Sequence, residues 1–360
     1  MRAAVMRNRE IVADEIPVPE PESGQVLVKT LACGICGSDL HTLQHLDHMI
    51  EIQQRTNPLA TSMSPDVDVV MGHEFCAEVI EYGPDTGGKI STGSRVVSMP
   101  IVFGTTGIKS VGYSPSHPGG YGQYMILTEG LLLPVPDDLS TPMAALTEPM
   151  AVGRHAVEKA NLAPGDIPLV VGCGPVGLAV VAALRQKGAH PVIAADFSPS
   201  RRRLALAMGA DEVIDPAEGS PYERWQDLAY PEGTDRTDPL LRLSGIGPRP
   251  GVIFECVGVP GVIQQIFDRS MRNTRVVVVG VCMGPDTIEP LVAIGKELNV
   301  QFVLGYTASE FADTLRGLAS GEIPAEPIIT GTVGVDGVAQ AFSDLGDPEA
   351  HAKIMVDPWL

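Results

Sequence analysis

The stretch Leu169-Val170-Val171-Gly172-Cys173-Gly174-Pro175-Val176-Gly177 decides the fold. A short apolar strand signal runs directly into G-x-G-x-x-G, and the apolar pattern of a helix follows from Leu178 to Arg185. In such a turn one glycine permits the tight bend, one lets backbone approach a pyrophosphate, and one allows close helix packing. The pyrophosphate sits at the positive end of the helix that Pro175 and Val176 open. The glycines alone are a weak signal. Here strand, turn and helix come in order, and Asp196 ends the next strand signal, Val192-Ile193-Ala194-Ala195, about twenty residues on, where a ribose-binding carboxylate belongs. Asp196 accepts ribose hydroxyls and repels a 2′-phosphate, which favours NAD over NADP, although Arg201, Arg202 and Arg203 follow closely and are able to neutralise a phosphate. The bland alternative is a glycine turn without nucleotide.

Moving outward, helix signals at Leu178–Arg185 and Arg201–Met208 alternate with strand signals, which continue at Val252-Ile253-Phe254-Glu255 and Val276-Val277-Val278-Val279. This alternation is the signature of a parallel sheet with crossover helices. Residues 216–239 form a polar excursion expected as surface loop and short helix. On the N-terminal side, up to about Thr128, short strand signals such as Val26-Leu27-Val28-Lys29, Phe75 to Ile80 and Val96 to Met99 are separated by glycine and proline, as in a β-barrel. Between His41 and Gly72 a polar segment with helical character gives way to Asn57-Pro58 and Ser64-Pro65, a long connection of the kind that shapes a site entrance. Thr141-Pro142 offers an N-cap and first-turn proline for a helix running in pieces toward Lys159 and bridging the domains.

A chain of 360 residues exceeds the size at which one core keeps growing, and 44% hydrophobic residues supply two. The net charge of −19, from 44 acidic and 25 basic residues, argues against binding nucleic acid or an anionic membrane surface. Six cysteines spread over positions 33 to 282 do not form a disulfide framework and fit a reducing cytoplasm. No signal-peptide or membrane-span pattern is expected from the sequence. Five of the cysteines lie in apolar stretches and read as core packing.

Cys36 is the exception. It opens Cys36-Gly37-Ser38-Asp39-Leu40-His41, and Gly72-His73-Glu74 follows further on, so a thiolate, an imidazole and a carboxylate are available to converge. Sulfur and nitrogen donors with one position left open suit a catalytic zinc ion. The plain readings are a buried small hydrophobe for Cys36, a solvated helical glutamate for Glu148 and a surface residue for His41. His41, His45 and His48 share i, i+4, i+7 spacing; they are expected at a pocket rim, with a second metal site as the sharper alternative.

Together, Gly34 through His41, Gly72-His73-Glu74 and Gly172 to Gly177 resemble the medium-chain, zinc-dependent alcohol dehydrogenase superfamily, over essentially the whole chain. The resemblance implies an α/β fold. Residues 1–155, completed by 296–360, would form a GroES-like β-barrel catalytic domain, and 156–295 a Rossmann domain with a doubly wound parallel sheet. Cys36 and His73 become zinc ligands, Glu74 a neighbouring carboxylate or an exchanging ligand, and Glu148 the third ligand position, which holds glutamate in polyol and sugar members. Ser38 and His41 become a proton relay, with Asp39 as an orienting group. The segments around Val257 and Val279 approach the nicotinamide, and Gly172, Gly174, Pro175, Val176, Gly177, Asp196 and Arg201 hold the rest of the cofactor.

The tail Lys353-Ile354-Met355-Val356 resembles a final strand that folds back on the first domain, with Lys353 placed to pair with Glu74. The four-cysteine lobe of many members is missing after Gly93-Ser94-Arg95-Val96, so one zinc per subunit is expected and residues 104–122 replace the lobe. The implied function is NAD-linked oxidation of an alcohol, polyol or sugar to its carbonyl in a cytoplasmic homodimer or homotetramer. The alternatives are a zinc-free enone or quinone reductase on the same fold and a non-catalytic nucleotide-binding protein.

Overall fold

Ile167–Val171 and Gly251–Glu255 are nearly continuous apolar runs buried along their length, as central strands of a parallel sheet covered on both faces must be. The computed structural model describes residues 1–56, 63–104, 107–230, 232–235 and 248–360, and Asn57-Pro58 lies outside them. The chain divides into two compact units, Met1–Pro149 with Ala308–Leu360, and Met150–Thr307.

In the second unit the sheet order is Glu212–Ile214, Ile193–Ala195, Ile167–Val171, Gly251–Glu255, Arg275–Val278, Asn299–Phe302, all parallel. This is the doubly wound order whose direction reverses between the first and fourth strands. Asn299–Phe302 is an edge, and Arg275–Val278 lies inside the sheet with strands on both sides. Helix Pro221–Ala229 is the short helix expected within 216–239, but one face of it is buried rather than on the surface. Ser220 caps it, Trp225 is fully buried, and the indole donates to the Ile167 carbonyl at 2.9 Å.

In the first unit Gln25–Gly34 is the spine of a largely antiparallel sheet. It pairs with Glu74–Tyr82, with Tyr124–Thr128, and with Lys353–Val356 from the far end of the chain. The expected return of the tail is therefore present, with Met355 opposite Gly34. A core built from Ala4, Val26, Val28, Met71, Val79, Met125, Leu127 and Ile354 fills this unit. The helical pieces after residue 140 are Thr141–Ala145 and Thr147–Lys159, and the boundary between the units falls inside the second. The N-cap is Ser140 rather than Thr141, which places Pro142 at the second helical position, where its missing N–H costs nothing.

Candidate active site

The strand Gln25–Gly34 delivers Cys36 at its end, and helix Gly37–Thr56 begins immediately after, carrying Ser38, Asp39 and His41 in its first turns. Glu74 opens the strand paired with it and stands opposite Gly34, with His73 immediately before it. The glycine is required there, because a Cβ at position 34 would run into the Glu74 carboxylate. Ligand atoms of Cys36, His73 and Glu74 lie within 4.8 Å of one another, a sulfur, a nitrogen and an oxygen in one cluster. Among the described residues this is the one such group.

Buried charge surrounds it. Lys353 donates to both Glu74 oxygens at 2.8 and 2.6 Å and to the Ile35 carbonyl at 2.9 Å, with both side chains 1% exposed. Burial works against the ammonium, but Glu74 and Cys36 outweigh it and raise the Lys353 pKa above the usual lysine value. Asp39, fully buried, accepts from Tyr113 Oη–H at 2.8 Å, from Tyr121 Oη–H at 2.5 Å and from the Cys36 N–H at 3.3 Å. Burial alone would raise its pKa; His73 and the two phenols outweigh that and hold it below the usual carboxylate range. His73 Nδ1 sits 3.4 Å from Asp39 Oδ1 and is a buried ring nitrogen without a hydrogen-bond partner. Burial opposes the imidazolium, yet Asp39 and Cys36 together raise the His73 pKa well above its ordinary value.

Tyr113 and Tyr121 arrive on the segment that stands where the sequence lacks the four-cysteine lobe. This segment is stitched beside His73 by the N–H groups of Gly119, Gly120 and Tyr121 donating to Val70, Gly72 and Met71. Neither tyrosine was marked by the sequence. Their pairing with Asp39 spans 74 and 82 residues, so no local pattern announces it. Ser38 Oγ bonds Tyr113 Oη at 2.9 Å, not His41. His41 instead faces His45, with ring centroids 6.4 Å apart, and burial lowers its pKa. The shared face expected for His41, His45 and His48 is interrupted, since the helix is kinked at His45. Glu148 is buried in the first turn of Thr147–Lys159 and stands outside the three-ligand cluster, although its charge acts on Lys353.

In the second unit the turn after Ile167–Val171 has the expected form. Gly172 takes φ +92°, and a Cβ at Gly177 would strike the Gly172 carbonyl. At Gly174, the N-cap of helix Pro175–Gln186, a Cβ would meet nothing within 4 Å, so the backbone faces open space as a pyrophosphate requires. Asp196 accepts the Cys173 N–H at 2.7 Å and the Ser198 N–H at 2.9 Å, which fixes its carboxylate beside the turn. Of the three arginines, Arg202 is bound to Asp215 at 2.9 Å and Arg203 to Ser200, whereas Arg201 keeps a buried Nε without a hydrogen-bond partner. Val257 follows the fourth strand and Val279 the fifth, at the same carboxyl edge of the sheet. Cys33, Cys76 and Cys173 are core residues as expected, but Cys282 is half-buried in a loop, its thiol donating to the Gly284 carbonyl.

Residues 22–137 match the alcohol dehydrogenase GroES-like domain, and residues 175–320 match the zinc-binding dehydrogenase domain. The (R,R)-butanediol dehydrogenase of Bacillus subtilis strain 168 is 33% identical over 99% of this chain and 100% of its own. The chain belongs to the zinc-dependent medium-chain alcohol dehydrogenases. Within that family, the sorbitol dehydrogenase of the same Bacillus strain is 29% identical over 99% of this chain and 97% of its own. A Sinorhizobium meliloti 1021 protein solved with NADP bound superposes with a TM-score of 0.78 at 25% identity, covering 99% of each chain. The dehydrogenase is thus an enzyme acting on CH–OH donors, with zinc and NAD(P) as cofactors. Its residues fit both: the thiol, imidazole and carboxylate gathered within 4.8 Å suit zinc, and the open backbone at Gly174 suits a pyrophosphate. No helix among the described residues is long and apolar enough to cross a membrane.

Proposed function

We propose that the protein oxidises a polyol or other secondary alcohol to its carbonyl with NAD, through one zinc ion held by Cys36 and His73. The observation that carries this reading is the sulfur, nitrogen and oxygen cluster within 4.8 Å, in a chain that also bears the glycine turn and Asp196. Bound zinc supplies the Lewis acid that makes an alcohol proton labile, and NAD supplies the hydride acceptor. Ser38 takes the hydroxyl proton, and His41 serves as the outer relay group. Glu74, engaged by Lys353, acts as the charged neighbour of the two ligands, and Glu148 completes the set directly or through water.

Asp196 supports NAD rather than NADP, because its carboxylate is held in place where the ribose edge would lie. Arg201 adds a cation for the cofactor. The similarity to butanediol and sorbitol dehydrogenases supports a substrate with neighbouring hydroxyls. The free edge Asn299–Phe302 supports a homo-oligomer, and the dispersed unpaired cysteines support a cytoplasmic setting.

Elemental analysis of wild type and Cys36→Ser, with NAD reduction on a panel of diols, polyols and simple alcohols, tests the reading. The expected result is about one zinc per subunit, lost together with turnover in Cys36→Ser. Wild type that binds NAD, holds no zinc and reduces an enone would replace it with the zinc-free reductase.

A further inference from the structure

The hydrogen bonds around Asp39 have a direction, and that direction reaches Ser38. A phenol has one proton to give. Tyr113 gives it to Asp39 Oδ1 at 2.8 Å, a carboxylate that also accepts from Tyr121 and from the Cys36 N–H. At its 2.9 Å contact with Ser38 Oγ the Tyr113 oxygen must therefore accept, and Ser38 must donate. A serine hydroxyl is ordinarily a free rotor that donates or accepts as its neighbours demand. Before reaction its proton points to Tyr113, which leaves only lone pairs on Oγ for any other partner.

We propose that Tyr113 is a positioning residue of the dehydrogenase, orienting the Ser38 hydroxyl so that its oxygen accepts the hydrogen bond of the substrate's hydroxyl before any proton moves. This rests on the dehydrogenase reading above and assigns the orientation of Ser38 to a residue from the segment that replaces the four-cysteine lobe.

The surroundings hold the arrangement. The second Asp39 oxygen is taken by Tyr121 at 2.5 Å and the Cys36 N–H at 3.3 Å, so Asp39 cannot rotate away from Tyr113 without breaking both. The Tyr113 ring lies 5.3 Å from the His73 ring, tilted by 44°, which limits its swing. Gly112, just before it, donates to the His117 carbonyl and takes φ +80°, fixing the backbone from which the phenol projects.

Tyr113→Phe removes the one oxygen and keeps the ring. Combined with Ser38→Ala in a double-mutant cycle, it separates orientation of Ser38 from support of the site. The expected result is a kcat for alcohol oxidation lower by about 10- to 100-fold, with KM for NAD, zinc per subunit and Tm close to wild type. In the Ser38→Ala background the same substitution should cost nothing further. Additive losses, or zinc lost in step with activity, would overturn the assignment, the latter in favour of a structural role through Asp39 and His73. Full activity in Tyr113→Phe would overturn it alone, whereas a wild type inactive on every alcohol would remove the dehydrogenase reading as well.

Discussion

Lys353 and Glu74 form an ion pair with 1% exposure on each side, which makes each the condition for the other. Removing one partner strands a charge in the interior, at a cost of about 3–5 kcal/mol, while removing both leaves an apolar gap that is far better tolerated. Lys353→Met is expected to lower the unfolding free energy measured in urea by that amount, and Lys353→Met with Glu74→Leu to recover most of it; equal loss in single and double variants would show that the pair contributes packing alone. The neighbouring His73 and Asp39 give the metal-free protein a pH signature. The His73 pKa is raised on folding, so its stabilisation is complete below the ordinary imidazole value of about 6.5 and disappears as pH rises through the higher folded value. The Asp39 pKa is depressed, so its share is present above about 3.9 and disappears as pH falls through the lower folded value. Chelator-stripped wild type should therefore exceed Asp39→Asn in Tm most between those limits, with the difference shrinking on both sides; a difference that grows with alkaline pH contradicts the pairing.

At the scale of elements, the turn from strand Ile167–Val171 to helix Pro175–Gln186 shows what a sequence states openly. Helix propensity alone would make Gly177→Ala stabilising, yet its Cβ would strike the Gly172 carbonyl, so the helix must move off the strand. The expected outcome is NAD affinity lower by at least about tenfold, on the logic that a misplacement of 1 Å costs a hundredfold, with zinc content unchanged. Unaltered calorimetric affinity would mean the turn does not hold the cofactor. This turn was legible because each glycine answers a local backbone demand, as Cys36 and His73-Glu74 were legible from donor chemistry. What escaped has a common cause. Helix Pro221–Ala229 hides Tyr222 and Trp225 among polar neighbours, and the Asp39 partners Tyr113 and Tyr121 lie far away in the chain. A sequence displays what a residue demands of its neighbours in the chain, and only folding displays what distant residues demand of each other.

For the whole molecule, a charge of −19 and an open sheet edge pull in opposite directions. Like charge keeps copies apart, but Asn299–Phe302 offers unpaired backbone groups, and Phe302 and Leu304 beside it are 64% and 88% exposed. Helix Pro290–Lys296 adds Leu291 and Ile294, one turn apart and 78% and 69% exposed, on the side away from Val292 and Ala293, which pack on the core. Apolar area of this kind on a strand edge is costly for a lone subunit and is relieved when a second copy covers it. Light scattering on a sizing column is therefore expected to give a dimer or tetramer. Added salt should strengthen it, because screening weakens the repulsion over about 8 Å at physiological ionic strength and leaves apolar burial intact. Leu291→Glu with Ile294→Glu should drive the protein toward monomer while zinc per subunit stays the same, since the ligand cluster belongs to the other unit. A wild type that runs as a monomer at micromolar concentration, or a double variant that assembles as wild type does, would place the contact between copies elsewhere or nowhere.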